Sequence, residues 1–182
     1  YQGCNKIFQS KIINKKIKKI REKYKLPENY LLYVGSIEER KNLLTILKTI
    51  KEIPKQDLVI IGEGGNYKKK CINYIKENNL TKRVTLLKKI DKVELAGIYQ
   101  EAEMLIYPSI FEGFGIPIIE ALFSELPVIT SKKGCFSEAG GPTTKYIDPI
   151  SIKEMKESIL EIKASKNIKE KMKKNGLIYV QK

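Results

Sequence analysis

The residues best suited to chemistry lie in one stretch, residues 112–120, with the sequence EGFGIPIIE. The stretch follows the apolar run Met104–Tyr107, which is typical of a buried strand. Gly113 and Gly115 permit a tight turn, and a helix is predicted to begin near Ile116. The first N–H groups of a helix lack partners within the helix, and its N-terminal end is positive. This turn therefore favours the binding of phosphate.

Two carboxylates flank the turn. Glu112 lies within it, and Glu120 lies one helical turn after Pro117 in an otherwise apolar helix. A carboxylate on an apolar helix is costly to bury without a partner, so we expect Glu120 to reach back to a binding cleft. The simpler alternative is a glycine turn with a Glu that caps the helix. Amides for a diphosphate, together with carboxylates for hydroxyl groups, suit a sugar nucleotide.

Two cations, Arg40 and Lys41, lie in the loop 36–42 between a predicted strand, 30–34, and a predicted helix. Arg offers a planar fork and Lys a point charge, so the pair is suited to neutralising a diphosphate. Taken without the 112–120 stretch, the same two residues could be an ordinary exposed pair.

Three further loops carry candidate residues. Gly62 begins a glycine-rich turn after the predicted strand 57–61, which alone is weak evidence for a nucleotide. Ile90 lies in the loop before a helix that Asp91 is predicted to cap. Glu138 lies in a glycine-rich region that we expect to be a loop.

The order of the elements predicts where these loops meet. Strands alternate with helices along the chain, which indicates a parallel sheet in a Rossmann-like three-layer α/β/α domain. Right-handed crossovers place every strand-to-helix loop at the carboxyl edge of such a sheet. The residues expected at that edge are Arg40, Lys41, Gly62, Ile90, Glu112, Gly115 and Glu138. This convergence predicts a ligand cleft.

The two ends of the chain are predicted as follows. Residues 5–24 read as one basic amphipathic helix, because isoleucines recur along one face. The last helix is predicted over residues 167–174, and Gly176 onward as an exit segment, 176–182. All 182 residues are expected to form a single domain.

Composition excludes several classes of function. The chain has no histidine, which excludes Ser-His-Asp and Cys-His catalysis, and its three scattered cysteines argue against a zinc site. Unpaired cysteines fit a reducing cytoplasm, and no apolar run approaches a membrane-spanning length. The net charge of +14 leaves open a nucleic-acid-binding domain. The lysines are dispersed, however, and we interpret them chiefly as solvated helix faces.

The form E-x7-E of Glu112 and Glu120 resembles the motif of the retaining glycosyltransferases of family four, the group 1 transferases. The resemblance covers nearly the whole chain. It implies the C-terminal, donor-binding half of a GT-B fold, with the N-terminal acceptor domain absent from this chain. It also implies that residues 1–25 comprise the inter-domain crossing and the first helix.

The resemblance assigns the diphosphate contacts. Lys41 matches the phosphate-binding Lys of the pattern G-R-x-x-x-R/E-K-N/G, whereas Ser36 stands where many relatives have Arg. Arg40 is expected to compensate for that missing cation. The amides of residues 114–116, contributed by Phe114, Gly115 and Ile116, complete the diphosphate site.

The resemblance also assigns contacts to the rest of the donor. Glu120 would accept hydrogen bonds from the ribose, and Glu112 would hold the transferred sugar. Gly62 would lie beside the donor cleft. Ile90 would border the base or, equally, act only as a hydrophobic staple. Glu138 would lie near the sugar or serve as a structural cap.

The implied function is retaining transfer of a hexosyl group from a nucleotide-diphosphate sugar to a glycan or lipid-linked acceptor in cell-surface polysaccharide synthesis. No metal cofactor is expected. The implied location is the cytoplasm, and the basic chain leaves open a peripheral contact with anionic membrane. The isolated domain is expected to bind the nucleotide weakly and to transfer sugar negligibly. A binding-only nucleotide module and a nucleic-acid-binding domain are the alternatives, and a sugar-nucleotide epimerase of GT-B fold is a third, less favoured one. The sequence does not specify the base, the sugar or the acceptor.

Overall fold

The computed structural model describes residues 4–182 and contains one six-stranded parallel sheet. Its strands are β1 (Tyr30–Val34), β2 (Asp57–Ile61), β3 (Val84–Leu87), β4 (Met104–Tyr107), β5 (Val128–Ser131) and β6 (Lys145–Ile147). The spatial order is β3-β2-β1-β4-β5-β6. The predicted Rossmann-like α/β fold is therefore confirmed.

Eight α-helices connect and flank the strands within the described residues. They are α1 (Asn14–Tyr24), α2 (Leu43–Lys51), α3 (Asn66–Glu77), α4 (Lys92–Glu101), α5 (Ile116–Phe123), α6 (Phe136–Gly140), α7 (Ile152–Ala164) and α8 (Lys166–Val180). Short 3-10 turns occur at Lys6–Gln9 and Glu39–Lys41.

Successive strand residues point to opposite sides of the sheet, and helices cover both sides. The sheet is therefore buried on both faces. On one face, Leu32 and Leu105 pack with the helices α1, α4, α5 and α6 and the end of α8. On the other face, Leu31 and Ile106 pack with α2, α3 and α7. The result is the predicted three-layer arrangement, and it leaves the strand-to-helix loops together at one edge.

The prediction of a single helix over residues 5–24 is wrong. Asn5 caps a short 3-10 turn over Lys6–Gln9, and residues 10–13 are not helical, with Ser10 and Ile13 extended, before α1 begins. The Ile12 N–H donates to the side-chain oxygen of Gln100 on α4, at 3.0 Å, which holds this segment extended. The first three residues, part of the predicted inter-domain crossing, lie outside the described residues.

The predicted C-terminal boundary is also wrong. Helix α8 continues through Gly176 to Val180, so the predicted exit segment 176–182 is largely helical. Gly176 lies within the helix and packs closely against α5, where a Cβ would approach Leu122 Cδ2 to 2.8 Å. Glycine thus permits close helix packing at this position, and Val180 is buried at the end of α8.

Helix α6 replaces a predicted loop. Phe136, at its start, is buried and packs edge-on against Tyr107 of β4, with ring centroids 6.4 Å apart. This anchor gives a five-residue helix enough buried surface to form. None of the helices in residues 4–182 is long and apolar enough to cross a membrane.

Candidate active site

The predicted cation loop and the predicted carboxylate turn meet at the point where the strand order reverses. Arg40 and Lys41 follow β1, Glu112 follows β4, and these two strands are neighbours in the sheet. In open α/β sheets, ligands bind outside the carboxyl ends of the strands at such a switch point. The sheet topology therefore brings these charged groups together.

Glu112 binds both cations. Its Oε1 lies 3.0 Å from Arg40 Nη1 and 3.1 Å from Lys41 Nζ. Ser109 Oγ donates to the same oxygen at 2.9 Å. Lys41 Nζ also donates to the Tyr107 hydroxyl at 3.2 Å. The Lys41 side chain is 10% exposed and that of Glu112 is 12%, so this pair is largely shielded from water.

Backbone contacts fix the two loops against each other. The Ile110 N–H donates to the carbonyl of Arg40 at 2.7 Å. In return, Arg40 Nη1 donates to the carbonyl of Phe111 at 2.9 Å. A second ion pair joins Arg40 Nε to Glu38 at 2.9 Å. The positions of the cations are thus set by the turn that carries Glu112.

The balance of charge at Glu112 favours its ionised form. Burial by itself would raise the pKa of Glu112, but hydrogen bonds from Lys41 and Ser109 and the positive charge of Lys41 lower that pKa below its ordinary value. With Glu38 also paired to Arg40, two carboxylates balance the two cations, so an anionic ligand would have to compete with Glu38 and Glu112 for Arg40 and Lys41.

The N-terminal end of α5 lies beside this cluster in the chain. Gly115 is the N-cap and adopts φ +75°, a left-handed conformation that favours glycine. Pro117 has no N–H, and the Ile118 N–H donates to the Gly115 carbonyl at 2.9 Å. Ile116 is exposed at this end of the helix, whereas Gly115 is buried. The amides of these two residues are the candidates for a phosphate contact, and that contact stays a prediction.

Glu120 contacts a different element. Tyr99, on α4, donates its hydroxyl hydrogen to Glu120 Oε2 at 2.9 Å. Burial raises the pKa of Glu120, while the Tyr99 hydrogen bond and the charge of Lys92 oppose that rise. The expectation that Glu120 avoids bulk solvent agrees with this half-buried position. Its contact with a ligand stays a prediction.

Gly62 and Ile90 have clear structural roles. A Cβ on Gly62 would lie 2.0 Å from the Gly35 carbonyl oxygen, so glycine is needed for the loops after β1 and β2 to pass each other. Ile90 is partly buried and packs against the core, as the staple alternative requires. Neither observation tests a contact with the donor.

Glu138 lies near the same turn. It is exposed on α6 and lines a small cleft with Gly113, Phe114, Cys135 and Ala139. The Cys135 thiol donates to the Glu112 carbonyl at 3.2 Å, which ties α6 to the turn. Phe114 and Ile116 are 45% and 42% exposed, respectively.

Sequence reasoning missed three residues of the site. Tyr107 and Ser109 contact the ion-pair cluster, and Tyr99 contacts Glu120. The position of Tyr107 at the end of an apolar strand, directly before the motif, is a usable signal. Tyr99 has no comparable signal, because its partner is set by the packing of α4 on α5.

Comparison with known proteins identifies the family. The family profile described as Glycosyl transferases group 1 matches residues 15–177. The O-antigen chain mannosyltransferase RfbU of Salmonella typhimurium is 33% identical over 159 residues, covering 87% of this chain and 42% of that protein. The chain thus spans less than half the length of this relative.

Solved structures share the fold. The C-terminal domain of a glycosyl transferase group 1 family protein, LpcC, from Francisella tularensis has a TM-score of 0.81 at 22% identity, covering 98% of this chain and 97% of that domain. Anabaena Alr3699/HepE, solved in complex with UDP-glucose, has a TM-score of 0.87 at 18% identity, covering 98% of this chain and 51% of that chain. The domain has the fold of the C-terminal half of a GT-B glycosyltransferase. On the profile match and the RfbU identity, the chain belongs to the group 1 glycosyl transferase family.

Proposed function

We propose that this chain is the donor-binding half of a retaining hexosyltransferase that acts in polysaccharide synthesis. The observation that carries the proposal is the junction of Arg40 and Lys41 with Glu112 at the β1/β4 switch point. Two findings on relatives support it: RfbU is named as an O-antigen chain mannosyltransferase, and HepE is solved with UDP-glucose.

In this proposal the diphosphate of the donor lies between the cation pair and the N-terminal end of α5. Arg40, Lys41 and the N–H groups of Gly115 and Ile116 would neutralise it. As the bond between sugar C1 and the phosphate oxygen breaks, its electron pair passes to the diphosphate. These preorganised donors stabilise the added charge, which is the kind of electrostatic effect that often dominates catalysis.

The remaining candidates bind the other parts of the donor. Glu120 accepts hydrogen bonds from the ribose hydroxyls, and Ile90 borders the base. Glu112 holds hydroxyls of the transferred sugar and stabilises positive charge that develops at its ring. The acceptor oxygen attacks C1 on the face that the diphosphate leaves, and its proton passes to the departing phosphate. This path retains the anomeric configuration.

Calorimetric titration of the chain with UDP, GDP and ADP tests the proposal. We expect weak binding of at least one of them, and loss of affinity in Lys41→Met. Lys163→Met is the matched control, because Lys163 forms a comparable ion pair with Glu103, at 3.2 Å, near the start of β4 and away from the carboxyl edge. Absence of binding by all three nucleotides would refute the proposal, as would equal affinities in the two variants.

Three finer statements accompany this proposal. Transfer by the intact two-domain enzyme requires no metal, so EDTA should leave its rate unchanged. The acceptor, a glycan or lipid-linked glycan, is bound chiefly by the N-terminal acceptor domain of the GT-B fold. This chain alone should therefore transfer sugar to it negligibly. The net charge of +14 gives a peripheral attraction to anionic membrane. Co-sedimentation with phosphatidylglycerol vesicles should therefore decrease as salt increases.

A further inference from the structure

Tyr99 is a buried phenol whose hydroxyl faces the carboxylate of Glu120. Resting on the proposed function, we propose that Tyr99 is a positioning residue: it orients Glu120 so that the carboxylate recognises the ribose of the donor. Tyr99 itself contacts no ligand in this proposal. Its effect on binding passes entirely through Glu120.

The packing around Tyr99 fixes its ring. The residue is 0% exposed, and its ring meets that of Phe8 edge to face, with centroids 5.5 Å apart and planes at 87°. A phenol carries one donor hydrogen. With the ring immobilised, that hydrogen is directed to Glu120 Oε2, 2.9 Å away.

This hydrogen bond restricts the carboxylate. Because Oε2 is held by α4, the rotation of the Glu120 side chain is limited. Within residues 4–182, the hydrogen bond to this carboxylate is made at Oε2, and in this proposal Oε1 is the oxygen that accepts from a ligand hydroxyl. The other titratable groups near the carboxylate are Lys92 and the thiol of Cys4. Burial raises the pKa of Glu120, and the hydrogen bond from Tyr99 to Oε2 opposes that rise, which favours the form that accepts at both oxygens.

The alternative is that the Tyr99–Glu120 hydrogen bond only stabilises the packing of α4 on α5. A purely structural hydrogen bond would contribute to stability but would not distinguish nucleotides with and without ribose hydroxyls. Tyr30 provides a matched control for this alternative. It is also 0% exposed, and its hydroxyl donates to the Ile98 carbonyl on α4 at 2.7 Å, so Tyr30→Phe removes a comparable buried hydrogen bond that does not involve Glu120.

The test compares Tyr99→Phe, Tyr30→Phe, Glu120→Gln and the Tyr99→Phe/Glu120→Gln double variant in the same chain. Affinities for UDP, GDP and ADP and for their 2′,3′-dideoxy counterparts are measured by calorimetry. We expect Tyr99→Phe to weaken binding of the ribonucleotide roughly three- to tenfold and to leave the dideoxy form unchanged; the effect is smaller than that of a lost hydrogen bond between a charged group and the ligand because Tyr99 acts only through Glu120. Tyr30→Phe should change neither, and the double variant should bind like Glu120→Gln alone.

The outcomes separate this inference from the proposed function. If Tyr99→Phe binds the ribonucleotide like the parent, or weakens both forms equally, the positioning role is refuted. A double variant that loses more affinity than Glu120→Gln alone refutes it as well. A selective loss for the ribonucleotide in Glu120→Gln would still uphold the donor site in those cases. If Glu120→Gln shows no such selectivity, or if no nucleotide binds the parent, the role of Glu120 and the inference fail together.

Discussion

Replacing Lys41 by Met removes one charge from the ion-pair cluster while keeping an unbranched side chain of similar length. At 3.1 Å from Glu112, and with an effective dielectric constant of about 20, the lost attraction is about 5 kcal/mol before desolvation is counted. Desolvation of both charges offsets most of it. Arg40 at 3.0 Å and Ser109 at 2.9 Å also remain on Oε1, so Glu112 is not left unpaired.

We therefore expect Lys41→Met to lower the free energy of unfolding by about 1–2 kcal/mol, less than the about 3–5 kcal/mol typical when a buried charge loses its sole partner. The variant should bind nucleoside diphosphate roughly 10- to 100-fold more weakly, because a charge-assisted contact is lost. A small decrease in the free energy of unfolding together with a large decrease in nucleotide affinity would indicate that Lys41 acts mainly in binding.

The pH dependence of stability gives an independent check. The pKa of Glu112 is lowered in the folded chain, so its stabilisation is present above the ordinary value of 4.5 and is lost as pH falls through the folded value. The difference in free energy of unfolding between the parent and Lys41→Met should therefore be largest above pH 4.5 and should decrease below that pH. Urea unfolding followed by circular dichroism measures the difference, and calorimetry measures the affinity. An affinity unchanged from the parent, or a stability difference that widens in acid, would refute this reasoning.

Three other predictions follow from single sites. Gly62→Ala should lower the free energy of unfolding, measured in urea, by more than about 2 kcal/mol, because the new Cβ would lie 2.0 Å from the Gly35 carbonyl oxygen. Gly113→Ala is the control, since a Cβ there meets nothing within 4 Å. Equal losses of stability in the two variants would contradict the packing argument. Gly115→Ala should cost about 1–2 kcal/mol because φ there is +75°, and a thermal midpoint unchanged by this substitution would contradict it. Since burial raises the pKa of Glu120, nucleotide affinity should fall with decreasing pH beginning above 4.5, and Glu120→Gln should flatten that calorimetric profile.

Much of the fold was predictable because the strands are short apolar runs with clear boundaries. Tyr30–Val34 and Met104–Tyr107 begin and end as predicted. The errors lie where tertiary contacts override local pattern. Residues before α1 carry isoleucines at helical spacing, yet the hydrogen bond from Ile12 to Gln100 holds them extended. Gly176 is typical of a helix end, but close packing against α5 lets α8 continue through it.

The candidate site was predictable to the extent that charged residues follow strands. Arg40, Lys41 and Glu112 were expected at one edge because parallel topology requires it, and their ion pairs confirm the meeting. Tyr99 was not predicted, since a tyrosine within a helix is usually core and its partner depends on how α4 packs on α5. The contacts that these residues make with a donor remain predictions.

The most direct test of the central claim is a crystal structure of this chain with the nucleoside diphosphate that it binds most tightly. The account predicts diphosphate oxygens within hydrogen-bond distance of Lys41 Nζ and of the Gly115 or Ile116 N–H, with the ribose against Glu120. A diphosphate at any other surface, with Lys41 and Glu112 still paired and no ligand atom near them, would contradict it.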